Sequence, residues 1–164
     1  MKLWRTLKAL FAKFARNKPR IVLDTNILIS ATIVPHGAPA RILAAAFDGK
    51  VIVIVSARLF DEYLRVLRRP HISEKYQIIA SRVQEIALFL RYDSALVLGE
   101  PRERVISADP KDDFIIASAV EGEADYIISG DEHLQQLKVH RGIRIMTPRD
   151  FVAHVLGEHL RAPS

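Results

Sequence analysis

Acidic side chains recur at positions from which they could act together. Asp24 ends the apolar run Ile21-Val22-Leu23, and Asp131 follows a second such run, Tyr126-Ile127-Ile128, after Ser129-Gly130. Asp112 and Asp113 precede the apolar stretch Phe114-Ile115-Ile116, and Glu62 lies in a segment with helical patterning. Neighbouring parallel strands deliver their last residues to one edge of a sheet, where α/β proteins place their active sites. Carboxylates held close there repel each other, and a bound divalent cation relieves the repulsion. Oxygen donors of this kind, completed by water and a substrate phosphate, suit Mg²⁺ or Mn²⁺.

Each acid taken alone has an ordinary role. An aspartate after a strand is commonly a turn or cap residue, Asp112 or Asp113 reads as an N-cap of a helix over 113–121, and a helical glutamate is usually solvated. Their shared placement at one sheet edge is what points to a cation. Between the neighbours Asp61 and Glu62 the helical wheel decides. Leu59, Phe60, Tyr63, Leu64, Val66 and Leu67 form the apolar arc; Asp61 points away from it, whereas Glu62 sits at its border and can reach a cleft.

Other chemistries fit less well. No cysteine is present, which removes disulfides and thiolate metal sites and is in keeping with a cytoplasmic protein. The histidines (His36, His71, His133, His140, His154, His159) show no HExxH spacing, and only His133, two residues past Asp131, is expected near the acids. There is no P-loop, GxGxxG or GxSxG. Asp24-Thr25-Asn26 has asparagine where a haloacid-dehalogenase-type nucleophile pair needs a second aspartate.

The elements that must position these residues alternate. Strand-like runs fall at 21–23, 51–55, 95–98, 126–129 and 143–145. Helical patterns fall at 27–33, 39–47, 57–69, 73–92, 113–121 and 148–156. The unbroken β-branched run 51–55 reads as a strand buried on both faces, and the alternation implies a parallel sheet covered by helices on each side. With 164 residues, one domain is expected. No apolar run approaches the ~20 residues that span a bilayer.

The net charge of +5 is unevenly spread. Seven of the 24 Lys and Arg lie in residues 1–20, which carry no acid; the other 17 face all 19 Asp and Glu, so residues 21–164 stand at −2. The basic segment also has Leu3, Leu7, Leu10 and Phe14 at helical spacing, with Trp4 and Phe11 beside them, and Pro19 closes it. A docking helix, for a partner, a second copy or a membrane surface, is the favoured reading; an RNA-contacting arm and a leader upstream of the true start are the others.

The four acidic stretches together resemble the PIN-domain ribonucleases, in particular the VapC-like toxin components of toxin–antitoxin pairs. The resemblance is carried by Val22-Leu23-Asp24-Thr25-Asn26-Ile27-Leu28-Ile29-Ser30, by Ser56-Ala57-Arg58-Leu59-Phe60-Asp61-Glu62-Tyr63 leading into Leu67-Arg68-Arg69-Pro70, by Asp109-Pro110-Lys111-Asp112-Asp113-Phe114-Ile115-Ile116-Ala117, and by Ala124-Asp125-Tyr126-Ile127-Ile128-Ser129-Gly130-Asp131. It implies a three-layer α/β/α sandwich with a central parallel sheet over residues 20–156, flanked by a basic extension at 1–19 and a tail at 157–164. By position it makes Asp24, Glu62 and Asp131 metal-binding acids. The third acid is Asp113 on the general pattern and Asp112 in this subgroup, with Asp113 slightly favoured.

Further expectations follow from that resemblance. The activity implied is Mg²⁺- or Mn²⁺-dependent endonucleolytic cleavage of single-stranded RNA, with Asn26 and Ser129 in support by hydrogen bonding. An antitoxin partner and a homodimer are implied as well. Arg58, Arg65, Arg68 and Arg69, on the helix of Glu62, are candidate phosphate contacts or simply a solvated face. A housekeeping RNA-processing nuclease and a non-catalytic binding module on the same scaffold are the rival readings; intact acids argue against the module.

Overall fold

The computed structural model describes residues 18–105 and 110–157. The expected basic helix and the C-terminal tail from 158 lie outside the described residues. β1 (Arg20–Leu23) leads to α1 (Thr25–Ile33) and α2 (Ala38–Phe47); β2 (Ile52–Ser56) leads to α3 (Ala57–Leu67), α4 (Pro70–Ser73) and α5 (Ala80–Tyr92). β3 (Ala95–Val97) precedes α6 (Pro110–Glu121), and β4 (Tyr126–Ile128) precedes α7 (Glu132–Leu137). β5 (Val139–His140), β6 (Ile143–Met146) and α8 (Pro148–His154) complete the described chain.

The strands form one sheet in the order β3-β2-β1-β4-β6-β5, parallel except for β5 against β6. Alternate residues of the strands feed two cores, as the two-residue period of a pleated strand requires. Ile21, Leu23, Val53 and Ile128 pack with Leu28, Ile42, Leu43, Ile86 and Phe151 on one face. Val22, Ile54 and Ile127 pack with Ile115, Ile116 and Ala119 of α6 on the other. Both faces are covered, which is why the inner strands read as continuous Ile and Val. The result is the three-layer α/β/α architecture. No single helix among the described residues is long and apolar enough to cross a membrane.

Several boundaries differ from the sequence expectation. The helix expected over 73–92 begins only at Ala80: Ser73 ends the short turn started by Pro70, and Gln77 takes φ 45°, outside the helical region. α6 starts at Pro110, a residue suited to a first helical turn, so Asp112 and Asp113 lie within that turn and not at its cap. α7 and β5 were not expected at all. β5 returns to β6 through Arg141-Gly142 with φ of 48° and 83°, the paired positive values of a tight hairpin turn.

Candidate active site at the carboxyl edge of the sheet

Chain order reverses about β1, with β2 and β3 on one side and β4 and β6 on the other. The crevice between the ends of β1 and β4 is therefore the topological switch point, the usual ligand position in an open α/β sheet. Asp24 stands there as the N-cap of α1, 6% exposed. Its backbone N–H continues the ladder to the Ile128 carbonyl at 3.0 Å. One carboxylate oxygen accepts from the Asn26 backbone N–H at 3.2 Å, and the other accepts from the Ser129 hydroxyl at 2.6 Å.

Ser129, wholly buried, couples two acids. While donating to Asp24, its hydroxyl accepts from the Asp131 backbone N–H at 3.0 Å. Asp131 is half-buried and caps α7, its Oδ1 accepting from the backbone N–H groups of His133 and Leu134 at 2.8 and 3.3 Å. Gln135, one turn on, donates its side-chain amide to the Ser129 carbonyl at 2.6 Å. Glu62 is half-buried on α3, and Asp61 beside it is exposed, as the helical wheel requires.

The carboxyl of Asp24 is pushed above its ordinary value. Burial is the largest cause; the hydrogen bonds from Ser129 and Asn26 act in the opposite direction, and the charges of Asp131 and Glu62 push it further up. Acids from the ends of two strands and from a helix thus feel one another at a single buried carboxylate. Asp112 and Asp113 are both buried in the first turn of α6. Asp113 accepts from the Val105 backbone N–H at 2.9 Å and lines a cavity of about 430 Å³ together with Arg102, Glu121 and His140.

Residues 20–133 match the family model described as the PIN domain. The chain belongs to the PIN-domain family. It is also similar to an uncharacterized protein of Methanocaldococcus jannaschii, MJ1680, at 29% identity over 149 residues that cover 85% of this chain and 94% of the relative. PIN domains are generally nucleases, and the function of this one is of the nuclease type. Nucleases of the family typically use divalent metals.

The donor set of this PIN domain fits such an ion in chemistry. Asp24, Asp131 and Glu62 offer hard carboxylate oxygens around a carboxylate that burial and like charge disfavour, which a divalent cation would relieve. Among the described residues no three Asp, Glu or His side chains close into a ready cage.

The basic residues of α3 divide in two. Arg58 stacks on Phe114 and Arg65 lies 3.8 Å from Glu62, both beside the acids. Arg68 is the C-cap of α3, about 9 Å along the axis from Glu62, and Arg69 lies beyond it at the start of α4; neither is brought to the site. His133 contributes its backbone N–H to Asp131, while the residue itself is exposed. Sequence reasoning missed Gln135 and Phe114. Gln135 was hidden with its six-residue helix, and Phe114 reads as one more apolar residue of α6.

Proposed function

We propose that this chain is a Mg²⁺- or Mn²⁺-dependent endoribonuclease that hydrolyses phosphodiester bonds in single-stranded RNA. The observation that carries this reading is the buried Asp24, raised by burial and by the charges of Asp131 and Glu62 at the switch point of the sheet. When bound, the cation supplies Lewis acidity for water activation and neutralises charge developing on the phosphate. Ser129 holds the Asp24 carboxylate in one orientation and ties it to the backbone of Asp131. The first turn of α7 fixes Asp131 in turn, and Glu62 approaches from α3. Arg58 and Arg65 line the depression beside Glu62 and are its candidate contacts for an entering strand.

The test is direct. Purified protein should cleave single-stranded RNA with Mn²⁺ or Mg²⁺ and stop on addition of EDTA, and Asp24→Asn should abolish cleavage with the fold intact. Full activity of that variant would sink the assignment. The resemblance of the four acidic stretches to VapC-like proteins supports a toxin role in the cytoplasm beside an antitoxin. Induced expression should then arrest growth, and co-expression of an antitoxin-like protein, if one is encoded directly upstream, should relieve it.

A further inference from the structure

Beside the acids lies a stacked pair that metal chemistry does not require. The guanidinium carbon of Arg58, on the first turn of α3, stands 3.5 Å from the centroid of the Phe114 ring on α6. Arg58 is exposed and Phe114 half-buried. Both line an open depression of about 550 Å³ that also holds Glu62 and Arg65. Arg58 and Glu62 are four residues apart on one helix, so they share a face about 6 Å apart along its axis.

Charge alone does not account for this depression as a phosphate groove. Asp61, Glu62 and Glu100 line it against Arg58 and Arg65, and Arg65 already faces Glu62 at 3.8 Å. What it offers is a flat cation with one face set on an aromatic ring and its other face away from the ring. Guanidinium planes and aromatic rings are the surfaces on which proteins stack unpaired bases, and in a duplex each base face is already covered by its neighbours.

Resting on the nuclease reading above, we propose that the Arg58–Phe114 stack is a platform for an unpaired nucleobase of the strand whose phosphate enters the carboxylate site, selecting single strands over duplexes. The stack reads a base face, so RNA and DNA strands use it alike, and a larger purine face holds better than a pyrimidine. Loss of one stacked base weakens binding about tenfold, or ~1.4 kcal/mol, within the usual range for base–aromatic stacking.

Binding of labelled oligoadenylate, oligouridylate, the matching DNA strands and an RNA duplex to the full chain is measured by fluorescence anisotropy in EDTA, at two salt concentrations. Arg58→Lys keeps the charge and loses the plane. It should weaken binding of single strands about tenfold, most for oligoadenylate, with an unchanged salt slope and little effect on the duplex. Phe114→Leu, checked by circular dichroism and thermal unfolding, should weaken the same strands by removing the backing of the guanidinium. Arg58→Lys within twofold of wild type, a reduced salt slope, or equal wild-type affinity for duplex and single strand each overturns the platform. In those cases metal-dependent cleavage by the wild type leaves the nuclease reading standing. A wild type that neither binds nor cleaves any strand overturns both.

Discussion

Replacing Asp24 with asparagine should abolish cleavage and yet stabilise the metal-free fold. Asp24 is almost fully buried, and its carboxyl is raised by that burial and by the charges of Asp131 and Glu62, against the hydrogen bonds from Ser129 and Asn26. A raised carboxyl means that the ionised form is worse off in the folded protein than in the unfolded chain. Asparagine removes the charge and keeps the size. Its one carbonyl oxygen keeps the bond from the Asn26 N–H in neutral form, and its NH₂ must donate to the Ser129 hydroxyl, which turns to accept. The rearrangement costs about 1 kcal/mol per bond, but the net upward shift says that desolvation and repulsion together outweigh the hydrogen bonds to the charged form. A gain in stability at pH 7.5 is expected, and for a chain of this size each ~1 kcal/mol of it appears as roughly 2–4 °C in Tm. The pH dependence has a fixed sign. The penalty is fully present above the folded value, shrinks as pH falls through it, and is gone below the ordinary carboxylate value of 3.8. Urea unfolding of both proteins in EDTA at pH 7.5 and pH 4 measures it: the advantage of the variant should narrow on acidification. A variant clearly less stable at pH 7.5, or a gap that widens toward pH 4, refutes the reasoning.

Adding Mn²⁺ should raise the Tm of the wild type and leave Asp24→Asn nearly unmoved, since an ion that binds only the folded state stabilises it by mass action; equal shifts would place the ion elsewhere. Ser129→Ala removes the donor to a buried carboxylate and the acceptor for the Asp131 N–H, and should cost about 2 kcal/mol at pH 7.5 in urea unfolding, together with most of the cleavage rate. Gly99 has φ 68°, and a Cβ there would fall 2.8 Å from the Ser56 Cβ. Gly99→Ala should therefore cost about 3 kcal/mol by adding left-handed strain to overpacking, and a neutral result in thermal unfolding would contradict the described loop.

What could be read from the sequence was what depends on local pattern. The Ile-Val-Leu run before Asp24 and the β-branched run at 51–55 announce buried parallel strands because no polar residue interrupts them, and the wheel of α3 separates Glu62 from Asp61 without any tertiary information. The start of α6 was misplaced because Pro110 ahead of an acidic pair can open a helix or end a loop. α7 is too short for a periodic signal, and the two-residue strand β5 after it is shorter still. The hydroxyl of Ser129 could be named as a support, but its two partners depend on strands β1 and β4 lying side by side, which no local pattern declares. Asp113 illustrates the same limit: its bond to the Val105 N–H is a contact between a helix and a loop eight residues back.

The register of β1 against β4 is the step on which the site depends. Val22 lies opposite Ile127 and Leu23 opposite Ile128. Carried one residue further, the same register sets Asp24 beside Ser129, where the 2.6 Å hydrogen bond closes. Because side chains alternate across a sheet, a slip of one residue would turn every core side chain of a strand to the wrong face. Here Val22 and Ile127 bury against α6 while Leu23 and Ile128 bury on the opposite side, so a one-residue slip strands apolar groups in both cores. The unfavourable burial of the Asp24 carboxylate is thus enforced by hydrophobic packing a few residues away, and it does not need the cation to be present for the strands to align. That separation has a consequence for any variant at the site. Loss of an acid should alter activity and metal response without moving the strands, whereas a polar substitution at Val22 or Ile127 should disrupt the acids together with the sheet.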